Sequence, residues 1–343
     1  MGRYNAVALA HGNDKDNHTS RAAYLSPRDL CGLLLPIPTP FLSDGALNLD
    51  GLRSNLKKWN QSGIAGYVVL GSTGERVQLD EREYVQVIET AREVMPNGFV
   101  FIAGAGQQST RGTIAEIKRA VAVGADAVLV ITPHFYRAAI TQAALVGHYN
   151  EVADASPVPV ILYSMPDLTG IVIEPETVAT LSRHKNIIGV KDSSADIEGL
   201  QKTINLVRGN SSPEDFAVLT GNGTVLYEAL RAGAQGAILA VGCVAPALCA
   251  QILRAAQDRD DVRATKLQRH LTPLARAVTK TYGIGGLKAA LDLIGYAGGA
   301  VRAPLQMADA KTREEIARAL NEALAILSAS AAHDAGNAQK IPA

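Results

Sequence analysis

Short, almost continuously apolar runs alternate with longer amphipathic stretches along most of the chain. Eight such runs occur, at residues 32–41, 66–72, 99–106, 127–133, 158–166, 187–194, 216–223 and 236–243. Strands buried on both faces of a parallel sheet have continuous apolar sequences, whereas half-exposed strands alternate apolar with polar residues. The pattern therefore predicts eight parallel strands.

Helix signals fill the segments between these runs. Asp80 and Glu83 have the spacing of a capping box at the start of an amphipathic stretch. Ser109 and Thr141 are suited to cap the next two helices, and Pro175 suits the first turn of another. Strand and helix are thus expected to take turns along the chain.

A weak internal repeat supports the same architecture. Gly63, Gly124 and Gly233 each follow a predicted helix and precede the next predicted strand by a few residues. Glycine tolerates the left-handed conformation that ends many helices, so it allows a rapid return to the sheet. Eight βα units in one uninterrupted series favour an α/β fold of the closed (β/α)8 TIM-barrel type over an open doubly wound sheet.

The chain divides into four predicted segments. Residues 1–30 have no sustained period and are expected to form a flexible N-terminal tail. The barrel is expected at 31–254, followed by a purely helical C-terminal extension at 255–327. Residues 328–343 are rich in Ala and Ser and lack an apolar stripe, so a second flexible tail is expected there.

Composition and charge narrow the classes of function. The 343 residues are 47% hydrophobic, but no apolar run approaches the roughly 20 residues of a membrane-spanning helix, so we expect a soluble protein with no membrane partner. Thirty-three basic residues balance 33 acidic ones, so no overall field would attract nucleic acid. The three cysteines, Cys31, Cys243 and Cys249, do not form a disulfide or zinc pattern. A reducing, cytoplasmic location is the simplest expectation.

Lys191 is the most informative candidate for catalysis. It ends the apolar run that contains Ile187, Ile188 and Val190, at the carboxyl end of a strand, where barrel active sites lie. Burial disfavours the charged ammonium form of lysine and leaves neutral amine able to attack a ketone. The residue alone leaves an alternative open, a structural lysine paired with Asp192 or another carboxylate at the rim.

Tyr163 ends the preceding apolar run and is expected to lie one strand away from Lys191. A strand tyrosine is more often a core residue, but beside a buried lysine its phenol can act as a proton shuttle. The pair therefore points to catalysis more strongly than either residue alone.

The third element is the sequence Gly71-Ser72-Thr73-Gly74-Glu75 at the end of the second predicted strand. Its glycines allow backbone N–H groups and two hydroxyls to converge on an anion such as a carboxylate. Glycine-rich turns also occur without ligands, and this one lacks the lysine of a P-loop. Together with the amine and the phenol, the turn suggests a 2-oxo acid substrate.

At these residues the sequence resembles the class I, Schiff-base-forming pyruvate aldolase family that includes dihydrodipicolinate synthase and N-acetylneuraminate lyase. The resemblance runs from about Gly32 to Gln306 and is carried by GSTGE at 71–75, YSMP at 163–166 and GVKDS at 189–193, in this order. Within the family, the sequence is most similar to 4-hydroxy-2-oxoglutarate aldolase. That closer similarity rests on the stretches YSMPDLTG, NIIGVKDS and YGIGGLKAALDLIGYAGGAVRAPLQ.

The resemblance implies a role for each motif residue. Lys191 would form the imine with pyruvate, Tyr163 would shuttle protons, and Ser72 and Thr73 would hold the pyruvate carboxylate, with Thr73 also counted among the catalytic residues. The remaining residues expected to line the substrate site are Gly71, Gly74, Ser193 and Gly242, with the acceptor pocket extending to Cys243, Ser194, Asp167 and Leu168. The resemblance implies no cofactor and no metal, and it implies a homotetramer built as a dimer of dimers.

Two departures from the family pattern affect these expectations. Phe135 stands where a tyrosine of a neighbouring subunit would complete the proton relay, so Tyr136, His134 or a water would have to replace it. Leu168 stands where dihydrodipicolinate synthases carry an arginine for the carboxylate of the aldehyde partner. This second change argues against aspartate semialdehyde as the acceptor, although another basic residue can replace the arginine.

The preferred function is cleavage of a 4-hydroxy-2-oxo acid, first of all 4-hydroxy-2-oxoglutarate, to pyruvate and glyoxylate. A 2-keto-3-deoxy sugar acid aldolase or dehydratase, a dihydrodipicolinate synthase-type condensation and a non-enzymatic 2-oxo acid sensor are the alternatives. Metal-dependent cleavage is disfavoured because the seven histidines lack ligand spacing, and most are expected to be solvated. A phosphate site at residues 221–224 is a further hypothesis, with an ordinary helix-start turn preferred.

Overall fold

The computed structural model describes residues 25–210 and 215–338, with side chains described to residue 327 except at residue 210. Its strands are β1 (Gly32–Pro36), β2 (Gly66–Val69), β3 (Val100–Ala105), β4 (Ala127–Ile131), β5 (Val160–Ser164), β6 (Ile187–Asp192), β7 (Ala217–Thr220) and β8 (Gly236–Ile238). Each strand pairs in parallel with the next, and β8 pairs with β1 to close the barrel. The predicted (β/α)8 TIM barrel is confirmed.

Helices connect the strands and extend the chain beyond the barrel. They are α1 (Leu49–Trp59), α2 (Glu81–Val94), α3 (Thr110–Ala122), α4 (Gln142–Ala155), α5 (Pro166–Thr169), α6 (Pro175–Leu181), α7 (Ile197–Asn210), α8 (Leu226–Ala232), α9 (Pro246–Gln257), α10 (Asp261–Arg276), α11 (Gly283–Leu293) and α12 (Ala310–Ala338). A π-helical segment, Ala277–Thr281, lies between α10 and α11. Within the described ranges, none of the helices combines the length and the apolar character that crossing a membrane requires.

All eight strands are shorter than the apolar runs that predicted them. After β1, Pro38 and Pro40 provide no N–H for a ladder, and after β5 the chain reaches Pro166 at the start of α5. The ends of the runs therefore leave the sheet and form loops at the carboxyl-terminal mouth of the barrel. These loops supply residues of the candidate site.

The predicted helix caps are present. Asp80 Oδ1 accepts the Glu83 N–H at 2.8 Å, and Glu83 Oε2 accepts the Asp80 N–H at 3.2 Å. Ser109 Oγ caps α3, Thr141 Oγ1 caps α4, and Pro175 is the first residue of α6. Local sequence signals therefore predict these helix starts correctly.

Side chains from every strand fill the inside of the barrel: Leu34, Val68, Ile102, Leu129, Ile161, Ile188, Leu219 and Ile238. Leu30, on the short 3-10 turn Pro27–Leu30, belongs to the same cluster, and so does Leu25. Residues 25–30 therefore differ from the expected flexible tail, because their leucines are buried against the barrel at its amino-terminal end. Residues 1–24 lie outside the described residues.

The C-terminal extension is helical as expected, but its last helix is longer. The backbone of α12 runs to Ala338, past the boundary expected at residue 327. Alanine has the highest helix propensity, which explains how this Ala-rich stretch continues the helix without an apolar stripe. Residues 339–343 lie outside the described residues.

Candidate active site

Lys191 lies in β6 with its side chain buried, at 4% exposure. Its strand partner is Tyr163 of β5, and its Nζ lies 4.3 Å from the centroid of the Tyr163 ring. The fold therefore brings the amine and the phenol together, as the sequence predicts.

Asp192 does not serve as an ion-pair partner of Lys191. Its Oδ1 accepts the Ser194 N–H at 2.7 Å, and no ion pair joins Lys191 to a carboxylate within the described residues. Burial raises the pKa of Asp192, while the hydrogen bonds from Ser194 act in the opposite direction. The structure therefore does not support the alternative in which Lys191 is a structural residue paired with Asp192.

Tyr163 also contacts the glycine-rich turn at the mouth of the barrel. The Tyr163 hydroxyl and Ser72 Oγ lie 2.9 Å apart, a hydrogen bond in which either oxygen can donate. Through this bond, Tyr163 links the turn after β2 to Lys191 in β6.

The turn itself is one 3-10 turn, Ser72–Gly74. The Gly74 N–H bonds to the Gly71 carbonyl at 3.0 Å, and the Glu75 N–H bonds to the Ser72 carbonyl at 3.2 Å. Because these two N–H groups bond within the turn, the turn offers an anion fewer backbone donors than the sequence suggested. We call Ser72 and Thr73, which remain, the carboxylate cradle.

Ser193 and Gly221 lie against the lysine. Ser193 Oγ is buried and has no hydrogen-bond partner among the described residues, while its N–H bonds to the Ser164 carbonyl at 3.1 Å. A Cβ atom at Gly221 would lie 2.6 Å from Lys191 Cε and would collide with Ser193 Oγ. Gly221 therefore makes room for the lysine, a role that the sequence did not reveal.

The turn that follows Gly221 is an ordinary helix start. Asn222 Oδ1 accepts the Thr224 N–H at 3.0 Å and also the Thr224 hydroxyl at 2.7 Å. This geometry agrees with the interpretation preferred for residues 221–224.

Gly242 lies in a buried 3-10 turn, Ala240–Cys243, directly after β8. A Cβ atom there would lie 2.8 Å from Leu35 Cδ2, so close packing on β1 favours the glycine. A substrate-binding role for Gly242 stays a prediction.

The candidate relay residues are not part of the buried group. Phe135 and Tyr136 are 72% and 70% exposed, and their rings meet edge to face with centroids 5.0 Å apart. Gln108 Oε1 holds their loop by accepting the N–H groups of His134 and Phe135 at 2.9 and 2.8 Å. Leu168, on α5, is likewise exposed, at 61%.

Behind the glycine-rich turn lies a buried ion pair that no sequence pattern indicated. Glu75 Oε1 and Lys288 Nζ are 2.5 Å apart, and their side chains are almost fully buried, at 1% and 0% exposure. In the described part of the chain, no group of three or more His, Cys, Asp or Glu side chains is arranged to hold a metal ion.

A closed parallel barrel with a buried lysine and a tyrosine at its carboxyl-terminal mouth is the arrangement that the resemblance implies for class I pyruvate aldolases. The chain belongs to the dihydrodipicolinate synthetase family, whose model matches residues 29–323. It is 35% identical to 4-hydroxy-tetrahydrodipicolinate synthase 1 of Streptomyces coelicolor, over 91% of this chain and 96% of that protein.

Solved structures agree with this assignment. A dihydrodipicolinate synthase from Thermotoga maritima is 31% identical, with a TM-score of 0.81 over 86% of this chain and 98% of its own. A chloride-inhibited dihydrodipicolinate synthase from Acinetobacter baumannii, solved in complex with pyruvate, is 30% identical, with a TM-score of 0.79 over 86% of this chain and 99% of its own.

Proposed function

We propose that this protein is a class I aldolase that cleaves a 4-hydroxy-2-oxo acid, in the first place 4-hydroxy-2-oxoglutarate, to pyruvate and glyoxylate. The observation that carries the proposal is the buried Lys191 amine, 4.3 Å from the Tyr163 ring, whose hydroxyl is 2.9 Å from Ser72. The amine supplies a nucleophile, the phenol supplies an acid and base, and the turn supplies donors for a carboxylate.

The reaction begins with attack of the Lys191 amine on the C2 ketone, followed by loss of water to give an iminium. Tyr163 accepts the proton of the C4 hydroxyl as the C3–C4 bond breaks, and the bonding electrons move into the iminium to give an enamine. Glyoxylate leaves, C3 takes up a proton, and hydrolysis of the imine releases pyruvate and regenerates Lys191. The carboxylate cradle holds the C1 carboxylate throughout.

A second carboxylate on the substrate requires a cation that Leu168 does not provide. Arg137 is exposed on the loop after β4, and its guanidinium packs against Gly170, which ends α5: its Nη1 lies 3.0 Å from the position of a Cβ there. We assign Arg137 to the carboxylate of the glyoxylate half, since a guanidinium binds a carboxylate through two parallel hydrogen bonds.

Arg137→Gln tests this assignment by comparing two substrates. The substitution should raise the KM for 4-hydroxy-2-oxoglutarate and leave unchanged the KM for a 4-hydroxy-2-oxo acid that lacks the second carboxylate. An equal change for both substrates would remove Arg137 from the acceptor site.

A dihydrodipicolinate synthase-type condensation is the second candidate, because the S. coelicolor relative carries that activity in its name. Both reactions use an imine of pyruvate, so they differ in the aldehyde partner. Three assays separate the candidates. Two measure pyruvate release, from 4-hydroxy-2-oxoglutarate and from 2-keto-3-deoxy sugar acids, and the third measures pyruvate consumption with aspartate semialdehyde. Binding of pyruvate without turnover in any assay would favour the sensor hypothesis.

We propose further that the protein is a cytoplasmic homotetramer. The exposed pair Phe135 and Tyr136 supports a subunit contact at the loop after β4, where Tyr136 would replace the relay tyrosine expected at Phe135. Analytical ultracentrifugation tests the assembly, and a monomer at micromolar concentration would contradict it.

The central test is borohydride reduction in the presence of pyruvate. We expect inactivation and an added mass on the peptide that contains Lys191, and we expect Lys191→Gln to show neither adduct nor turnover. EDTA should leave the activity unchanged. Activity that is abolished by EDTA, with no trapped adduct, would overturn the imine mechanism.

A further inference from the structure

We infer that Lys288, in α11 of the C-terminal extension, is a positioning residue that holds the carboxylate cradle in place through Glu75. The inference rests on the proposed function, because it takes the cradle to bind the carboxylate of the substrate. It gives the helices outside the barrel a part in substrate binding.

The first contact is the ion pair itself. Lys288 Nζ lies 2.5 Å from Glu75 Oε1 and donates to the Ala300 carbonyl at 2.5 Å. Burial lowers the pKa of Lys288, whereas the adjacent Glu75 carboxylate acts in the opposite direction. Removal of either partner would leave the other charge buried and unpaired, which is far more unfavourable than removal of both.

Aromatic and cationic groups surround this pair. The Phe41 ring contacts two cations, with Lys288 Nζ 4.5 Å and Arg302 Cζ 4.3 Å from its centroid. The Arg302 guanidinium donates in turn to both carboxylate oxygens of Glu83 in α2, at 2.6 and 2.5 Å. Lys288 is thus fixed in direction by contacts on several sides.

Glu75 transmits this fixed position to the turn. Its backbone is left-handed, with φ of 56°, a conformation that is unfavourable for a non-glycine residue and needs support from its surroundings. Its N–H bonds to the Ser72 carbonyl at 3.2 Å, so the side chain that binds Lys288 belongs to the residue that closes the cradle.

A second anchor holds the neighbouring residue of the turn, Gly74. Thr39 Oγ1 donates to the Gly74 carbonyl at 2.8 Å, from the loop after β1. The residues that follow Thr73 are therefore held twice, Gly74 by Thr39 and Glu75 by Lys288. Loss of the ion pair would free one of the two anchors, and the Ser72 hydroxyl would lose its set distance to Tyr163.

The test compares Lys288→Met, Glu75→Gln and the double variant by borohydride trapping over a range of pyruvate concentrations. We expect each single variant to raise the half-saturating pyruvate concentration and the KM by about tenfold or more, with a smaller change in kcat. The neutral double variant should regain melting temperature, because it leaves no unpaired buried charge, but its half-saturation by pyruvate should stay impaired, because the anchor is still missing.

Arg92→Met serves as the matched control. It removes the ion pair between Arg92 and Asp126, whose charged atoms are 3.3 Å apart. The Asp126 carboxylate is buried and accepts the Phe101 N–H, and this pair lies away from the cradle. This control should lower the melting temperature and leave half-saturation by pyruvate unchanged. If Lys288→Met does not fold, Glu75→Gln carries the comparison, since glutamine keeps the size of the side chain.

The inference is overturned if the single variants lower the melting temperature but trap pyruvate with wild-type half-saturation. It is also overturned if the double variant traps pyruvate with wild-type half-saturation, because the cradle would then not need the ion pair. Failure of the proposed function looks different, because then the wild-type protein itself forms no adduct at Lys191.

Discussion

Among the single residues, Tyr163 contacts two neighbours, one through its ring and one through its hydroxyl. The Lys191 Nζ lies over the face of the ring at 4.3 Å, and Ser72 Oγ lies 2.9 Å from the hydroxyl. A phenylalanine keeps the first contact and loses the second. The structure therefore allows the positioning of the amine and the transfer of protons to be tested separately.

Tyr163→Phe should lower kcat by about 10²- to 10⁴-fold, the usual contribution of a general acid or base, while pyruvate is still trapped at Lys191. Tyr149→Phe is the control, because Tyr149 is a buried phenol that bonds the Val130 carbonyl at 3.1 Å. The control should cost about 1 kcal/mol of stability and no turnover. Equal losses of kcat in the two variants would contradict the proton-transfer role.

Gly221→Ala should abolish adduct formation in a folded protein, because the new methyl group would lie 2.6 Å from Lys191 Cε. Gly147→Ala, in α4, meets no atom within 4 Å and should raise the free energy of unfolding by about 0.5–1 kcal/mol. Mass spectrometry after borohydride treatment measures the first effect, and urea unfolding measures the second. Wild-type trapping by the Gly221 variant would show that the lysine has more room than the structure indicates.

Among the helices, α3 and α4 pack around a buried histidine. His148 Nδ1 lies 3.0 Å from Thr110 Oγ1, and the ring meets Tyr149 edge to face. Its Nε2 is buried without a hydrogen-bond partner among the described residues, and burial lowers the pKa of His148 to about 4. The expectation that most histidines are solvated therefore does not hold at this position, where the spacing from Leu145 and Val152 places His148 on the apolar face of α4.

This histidine predicts a loss of stability in acid. The unfolded chain binds a proton at His148 below the ordinary histidine pKa of 6.5, whereas the folded protein resists protonation down to about pH 4. The free energy of unfolding should thus fall between those pH values, by up to about 3 kcal/mol. Urea unfolding at pH 7, 5.5 and 4.5 should show a shallower fall for His148→Gln, and parallel curves for the two proteins would contradict the assignment.

The helices and strands could be predicted from the sequence because their signals are local. The capping box of Asp80 and Glu83 and the apolar runs depend on residues a few positions apart. The same locality explains the proximity of Tyr163 and Lys191, which follows from parallel pairing of consecutive strands. The strand ends were predicted too late, since an apolar run does not distinguish its last ladder residue from the loop that follows.

In the molecule as a whole, the two ends of the barrel carry different kinds of residue. The carboxyl-terminal mouth carries Lys191 and Tyr163, while Leu30 is buried at the opposite end, beside Gly189 and Gly236. Residues at the bottom of such barrels contribute to stability and residues at the top to catalysis.

Leu30→Ala should lower the free energy of unfolding by about 2–5 kcal/mol and leave half-saturation by pyruvate unchanged. Cys31→Ser, at the exposed neighbouring residue, should change stability by less than about 0.5 kcal/mol. Denaturant unfolding and borohydride trapping on the same preparations measure both properties. A change in pyruvate binding for Leu30→Ala would mean that the bottom of the barrel is coupled to its mouth.

Contacts between distant parts of the chain could not be predicted from the sequence. Lys288 interrupts an apolar stretch of a C-terminal helix, which indicates burial, but nothing in its neighbourhood along the chain indicates Glu75 as its partner. Gly221 was assigned to a turn, because the collision that excludes a side chain involves Lys191 from another strand. Such features depend on side-chain contacts between separate elements of the fold.

The pairing of Glu75 with Lys288 bears on how the protein is synthesised. Translation delivers the acidic partner early and the basic partner only after all eight strands have been made. We therefore expect nascent chains and products of premature termination to carry the reactive amine without competent binding of 2-oxo acids. Activity would then depend on the last helices, and chains that end before them would be inactive.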